Sequence, residues 1–166
     1  MAERRPKFDP YRVLRALERQ QVTFIVIGAL GRVIHGSGEL TDGIDVVPAT
    51  NEKNLRHLAL ALDELNARRA NGNTVSIERD LARKAVLELQ TDAGEFKIIP
   101  QPAGTRGYRD LRWRANREPL GHGLRPSVAS IDDHARMLAA LDRPQDRTPL
   151  LTLRRVIELE RELVHG

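Results

Sequence analysis

The chain has 166 residues, of which 40% are hydrophobic, enough to build one domain around a real core. It has no cysteine, which excludes a disulfide framework, a thiolate metal site and a cysteine nucleophile. The charged start, Met1 to Lys7, lacks an apolar signal core, and no segment approaches the ~18 apolar residues of a membrane span, so a cytoplasmic protein with no membrane partner is expected. The balance of 27 basic against 23 acidic residues gives a net charge of +4, which favours an anionic partner although the two signs are interspersed.

In chain order, Asp9-Pro10 reads as the cap and first residue of a helix whose Val13, Leu14 and Leu17 share one face up to Gln20. An apolar strand, Phe24 to Ile27, ends in Gly28-Ala29, where small side chains let a phosphate approach backbone N–H groups at the start of a short helix, Ala29 to His35. Gly36 closes that helix, Ser37 to Gly43 is a polar loop, and Ile44 to Val47 is the second strand. Thr50 is placed to cap a helix from Asn51 to about Ala67, whose Leu55, Leu58, Ala59, Leu62 and Leu65 recur at the spacing of a buried stripe. After a turn-rich break at Arg68 to Asn73, Lys84 to Thr91 alternates as a strand with Val86 partly buried, and pairs with Glu95 to Ile99 across Asp92-Ala93-Gly94. Ser130, three residues before Asp133, opens a helix to Leu141, and a last helix covers about Pro149 to Val164. The alternation predicts an α/β fold with a mixed sheet flanked by helices: an N-terminal helix within 1–21, a sheet core over 22–128 and C-terminal helices over 129–166 of a single domain.

Gly43-Ile44-Asp45 carries the first chemical signal. Residues two apart on a strand share a face, so an aspartate pair here would grip a divalent metal, but only Asp45 is present. His35 is expected to cap the short helix or brace its loop, while His57, His122, His134 and His165 show no metal-ligand spacing. The run Arg106 to Arg117 interleaves arginines with Tyr108 and Trp113. Either it grips a nucleic-acid backbone and stacks a base, or Tyr108, Leu111 and Trp113 pack onto the sheet while the arginines face water.

Several separated segments together resemble one family. They are Ile27-Gly28-Ala29, His35-Gly36-Ser37, Thr41, Ile44-Asp45-Val46-Val47, Asn54-Leu55-Arg56-His57-Leu58, Gly94-Glu95-Phe96-Lys97, the stretch from Pro102 to Tyr108, that from Val128 to Asp133, and Arg143-Pro144-Gln145-Asp146. From about residue 22 to residue 155 the chain resembles the nucleotidyltransferase superfamily, and within it the bacterial branch that holds the abortive-infection-type toxins. The resemblance implies a nucleotidyltransferase-like sheet and two-metal chemistry, with two carboxylates on one strand and a third on its neighbour holding Mg²⁺ against a triphosphate. Those three positions are Gly43, Asp45 and Lys97 here. Unit charges ~4 Å apart interact by roughly 4 kcal/mol at an effective dielectric of ~20, and a divalent ion doubles the repulsion from an ammonium. Glu39 and Leu138 stand where the family carries an arginine and a lysine.

The resemblance further places Gly28, Ala29 and Ser37 against a phosphate, unless Ser37 simply makes the turn. Lys97 is expected within ion-pair reach of Asp45, in the metal's place. An unconventional metal set would combine Asp45 with Asp42, turned inward from its loop, and Glu95, which shares the face of Lys97; otherwise Asp42 caps its loop and Glu95 is a solvated strand end. Three functions stay open. The first is a catalytically degenerate protein that retains nucleotide, RNA or protein binding in a toxin–antitoxin-like setting. The second is an active toxin-like nucleotidyltransferase, for which alone Mg²⁺ is expected. The third is an antitoxin-like interaction module or homodimer joined through its last helix.

Overall fold

The computed structural model describes residues 6–82 and 85–165. Helix α1 (Pro10–Arg19) starts where expected, with Asp9 accepting a hydrogen bond from the Arg12 N–H and proline in the first turn. Strand β1 (Phe24–Ile27) runs into α2 (Gly28–Ile34), and β2 (Gly43–Pro48) into α3 (Glu52–Glu64). The cap of α3 is Asn51, not Thr50: its side chain accepts from the Asn54 N–H at 2.9 Å. The helix stops short of Ala67 because Asn66 turns into the left-handed region at φ 51°, and the Ala67 N–H reaches back to the Leu62 carbonyl.

Two elements in the supposed break went unforeseen, the short strand β3 (Arg68–Arg69) and helix α4 (Ile77–Ala82). Strands β4 (Leu87–Thr91) and β5 (Gly94–Ile98) form the expected hairpin. Lys84, where that strand was expected to begin, lies outside the described residues. Val86 lies one residue before the strand and is exposed rather than partly buried. Beyond them lie α5 (Tyr108–Leu111), β6 (Asn116–Arg117), β7 (Ser127–Val128), α6 (Ile131–Leu141) and α7 (Arg147–His165). Ser130 caps α6 by accepting from the Asp133 N–H.

The seven strands form one mixed sheet in the order β3-β4-β5-β2-β1-β7-β6. Strands β2 and β5 run parallel, while β1 lies antiparallel to β2 and parallel to β7. One face of the sheet, carrying Val26, Ile44, Val46, Phe96 and Ile98, packs against α1 and α3. The other carries Ile25, Ile27 and Val47 beneath Leu111 and Met137. By strand alternation Asp45 lies on this second face, two residues before Val47.

Asn54 explains one motif structurally. Buried at 4% exposure, it donates to the Thr23 and Ala49 carbonyls and accepts from the Thr23 N–H, all within 2.8 Å, tying α3 to the start of β1 and the end of β2.

Candidate functional site

The register of three strands assembles the candidate site. Asp45 pairs across β1 with Ile27 and across β5 with Lys97, and Gly43 lies opposite Glu95. Gly28 follows directly, at φ 70°, where a Cβ would fall 2.9 Å from the Asp45 carboxyl carbon. A residue without a side chain is therefore required there, but the space it leaves is filled by Asp45. Gly28 thus abuts Asp45, and Asp45 and Lys97 share one face of the sheet, with Ala29 following Gly28 into α2.

The expected pairing of Lys97 with Asp45 is corrected by the side chains. Lys97 extends the other way, to Glu88 on β4, its antiparallel neighbour, at 3.9 Å. No hydrogen bond or ion pair reaches the Asp45 carboxylate among the described residues, because its strand neighbours are apolar on one side and Lys97 is drawn toward an exposed partner on the other. Burial pushes the Asp45 carboxyl above its usual range, against the opposing pull of Lys97 and Arg32; Glu88 and Glu95 add to the rise.

Gly43, where the sequence resemblance implied a carboxylate, has no room for a side chain. A Cβ on Gly43 would lie 2.9 Å from the Glu95 Cβ and 3.0 Å from its carbonyl oxygen. Asp42 is exposed at the end of its loop, and Glu95 is partly buried at the head of β5. No group of three or more His, Asp or Glu side chains among the described residues is arranged to hold a metal ion. The donors present do not fit a two-Mg²⁺ centre, which needs hard oxygen ligands on several sides.

Arg32 and Ser37 would be natural phosphate partners, but both are taken. Glu39 accepts from Arg32 Nε at 2.7 Å and Nη2 at 2.8 Å, and from the Ser37 hydroxyl at 2.7 Å. The Arg32 hydrogen bond, chiefly, holds the Glu39 carboxyl below its ordinary range. Glu39 is thus an internal anion seated on donors from α2 and from its own loop.

Two further groups have surroundings that the sequence did not reveal, although Arg143 and Asp146 lie in a matched segment and His134 was noted only as lacking metal-ligand spacing. Arg143 makes a bidentate pair with Asp146, at 2.7 and 2.9 Å, and the charge of Asp45 also acts on it. His134 is buried behind α2: Nδ1 donates to the Ser130 carbonyl at 3.0 Å, while Nε2 has no hydrogen-bond partner among the described residues and faces Gly31, where a Cβ could not fit. Burial lowers its pKa to about 4. His35 braces the end of α2 as expected, its Nε2 donating to the Ala129 carbonyl at 2.7 Å. Leu138 packs between α6 and α7 with Ala135 and Leu153.

The structure is similar to the crystal structure of a candidate nucleotidyltransferase from Thermotoga maritima, with a TM-score of 0.52 at 16% identity, covering 93% of this chain and 90% of that one. The fold is that of a nucleotidyltransferase. The antibiotic-resistance factor ANT(2'')-Ia, solved in solution, aligns at a TM-score of 0.49 and 11% identity over 94% of this chain and 95% of that one. No family model and no curated protein matches the sequence. No helix among the described residues is long and apolar enough to cross a membrane.

Proposed function

We propose that this chain is a catalytically degenerate protein of the nucleotidyltransferase superfamily, from its abortive-infection-type branch, that acts by binding nucleotide, RNA or protein rather than by nucleotidyl transfer. The observation that carries this reading is the register that sets Lys97, not a carboxylate, beside Asp45. The surrounding charges support it: Arg32 is paired with Glu39, Arg143 with Asp146 and Lys97 with Glu88, which leaves Asp45 without an ion pair among the described residues. A site neutralised from within has no strong reason to recruit Mg²⁺ and a triphosphate together. A toxin–antitoxin-like setting follows from the sequence resemblance and belongs to the same proposal.

The test is calorimetry of the full chain with Mg²⁺ or Mn²⁺ and each nucleoside triphosphate, alongside a transfer assay with α-labelled nucleotides. The expected result is no metal-dependent heat and no labelled product. Tight metal-dependent nucleotide binding with transfer would overturn the reading in favour of an active enzyme. One observation favours that second reading: Glu95 acts electrostatically on Asp45 and shares its face, so Asp45 with Glu95, and Asp42 if its loop turned, would be the ligand set. In that case Glu95→Gln would abolish transfer.

A further inference from the structure

The arginine run after β5 lies apart from the Asp45 cleft. Strand β5 ends at Ile98, the run begins eight residues later at Arg106, and neither of the two concavities it lines includes Gly28, Asp45 or Lys97. Arg106, Arg109 and Arg112 there form the wall shared by two concavities of about 780 and 700 Å³. None of the three guanidinium groups has an ion pair among the described residues. The nearby Asp110 is claimed by Arg136 at 3.0 Å. Leu111 anchors the segment, fully buried, and Tyr108 packs against the same cluster. Trp113 does not pack onto the sheet: it is 77% exposed, with the Arg112 guanidinium 4.8 Å from its ring centre. The packing role considered from sequence thus holds for Leu111 and Tyr108 and fails for Trp113.

From this geometry we infer that the surface is a binding site for single-stranded RNA. The planar, unpaired guanidinium groups meet successive phosphates, and the exposed face of Trp113 stacks an unpaired base. Single strands are favoured because a duplex offers no free base face to an indole. RNA is favoured because the uncharged rim of the larger concavity carries Thr50, the amide nitrogen of Asn51 and the amide oxygen of Gln101, the ends left over when Asn51 Oδ1 caps α3 and Gln101 Nε2 donates to the Thr105 carbonyl, as hydrogen-bonding groups suited to ribose hydroxyls. The inference narrows the binding reading above to one ligand. Its test contains neither metal nor nucleoside triphosphate, so its failure is distinct from failure of that reading.

The full chain is titrated with a fluorescein-labelled 12-nucleotide single-stranded RNA at low and moderate salt, following anisotropy, and with the unlabelled RNA, following tryptophan emission. Trp113 is the protein's one tryptophan, so quenching reports the site directly. Binding is expected to weaken with salt, and Arg109→Ala with Arg112→Ala to lower affinity at least tenfold and flatten the salt slope by about 1.4, ~0.7 for each phosphate no longer neutralised. Trp113→Phe should bind nearly as well as the unaltered chain and Trp113→Ala at least fivefold more weakly. A control pair on α7, Arg154→Ala with Arg161→Ala, should change affinity less than twofold; circular dichroism checks that every variant folds. Absence of binding at low salt, absence of quenching, equal loss in the control pair, or equal affinity for duplex RNA or for DNA of the same sequence would each overturn the assignment.

Discussion

Asp45 shows how a single carboxylate behaves when its partners are gone. Its folded pKa is raised, so the stability tied to it is fully present below the unfolded carboxyl pKa of about 3.9 and is lost as pH rises through the folded value. Asp45→Asn should therefore stabilise the protein at pH 7 by on the order of 1 kcal/mol, with the gain vanishing in acid; thermal melts across pH measure it. A destabilising effect at pH 7 would mean that the carboxylate makes a compensating interaction. His134 has the opposite dependence. It is buried with a pKa near 4, so the unfolded chain takes up its proton first, and stability is lost as pH falls from about 6.5 toward about 4. Denaturant titrations should show a loss on the order of 3 kcal/mol across that window, which His134→Gln flattens. Asp45 was legible from sequence because it lies inside a motif. His134 was not, since its burial depends on α2 packing over α6 from a hundred residues away in the chain.

At the scale of elements, α3 is held by Asn54 as well as by its leucines. Asn54→Ala leaves the Thr23 N–H and the Ala49 carbonyl without the partner they have here, while the Thr23 carbonyl keeps its bond from the Ala49 N–H at 3.1 Å, and should cost about 2–3 kcal/mol, read as a lower urea midpoint with an unchanged slope. The pairing of β2 with β5 is equally demanding. Gly43→Ala drives a Cβ into Glu95 and should cost about 1–3 kcal/mol by the same measurement, whereas Lys97→Ala, whose side chain is partly exposed, should cost under 1 kcal/mol. Caps and spacing made α1, α3 and α6 legible, because Asp9, Asn51 or its neighbour, and Ser130 announce each start locally. Helix α4 and strands β3, β6 and β7 carry no such signal: each is short, and the paired strands owe their form to partners distant in sequence. The direction of Lys97 failed for a related reason. Alternation gives the face of a strand residue but does not decide between its two lateral neighbours.

Across the whole molecule, burial is uneven. Strands β1, β2 and β5 sit at the centre of the sheet with residues such as Val26, Ile44 and Phe96 fully enclosed, while α7 is anchored through Leu153 and leaves Leu163 and Val164 largely exposed. Hydrogen exchange should accordingly show global protection in the three strands and fast local opening in α7 beyond Ile157. Slow exchange in those last turns would instead indicate that another surface covers them, as a homodimer joined through this helix requires. The mixed α/β character was readable from alternating helical and strand patterns. The order of strands was not, since it is decided by which edges pair after collapse.

That order has a consequence for how the chain is made. Strand β1 is flanked by β2 on one side and β7 on the other, yet Val26 must wait for Val128 before its second edge is closed. Until then a growing polypeptide displays the run Phe24-Ile25-Val26-Ile27 along an open edge, four apolar residues with the composition that favours strand-to-strand association between molecules. Translation pausing between the codons for Pro48 and Ser127, or premature termination there, should leave a product that aggregates or engages chaperones rather than one that folds.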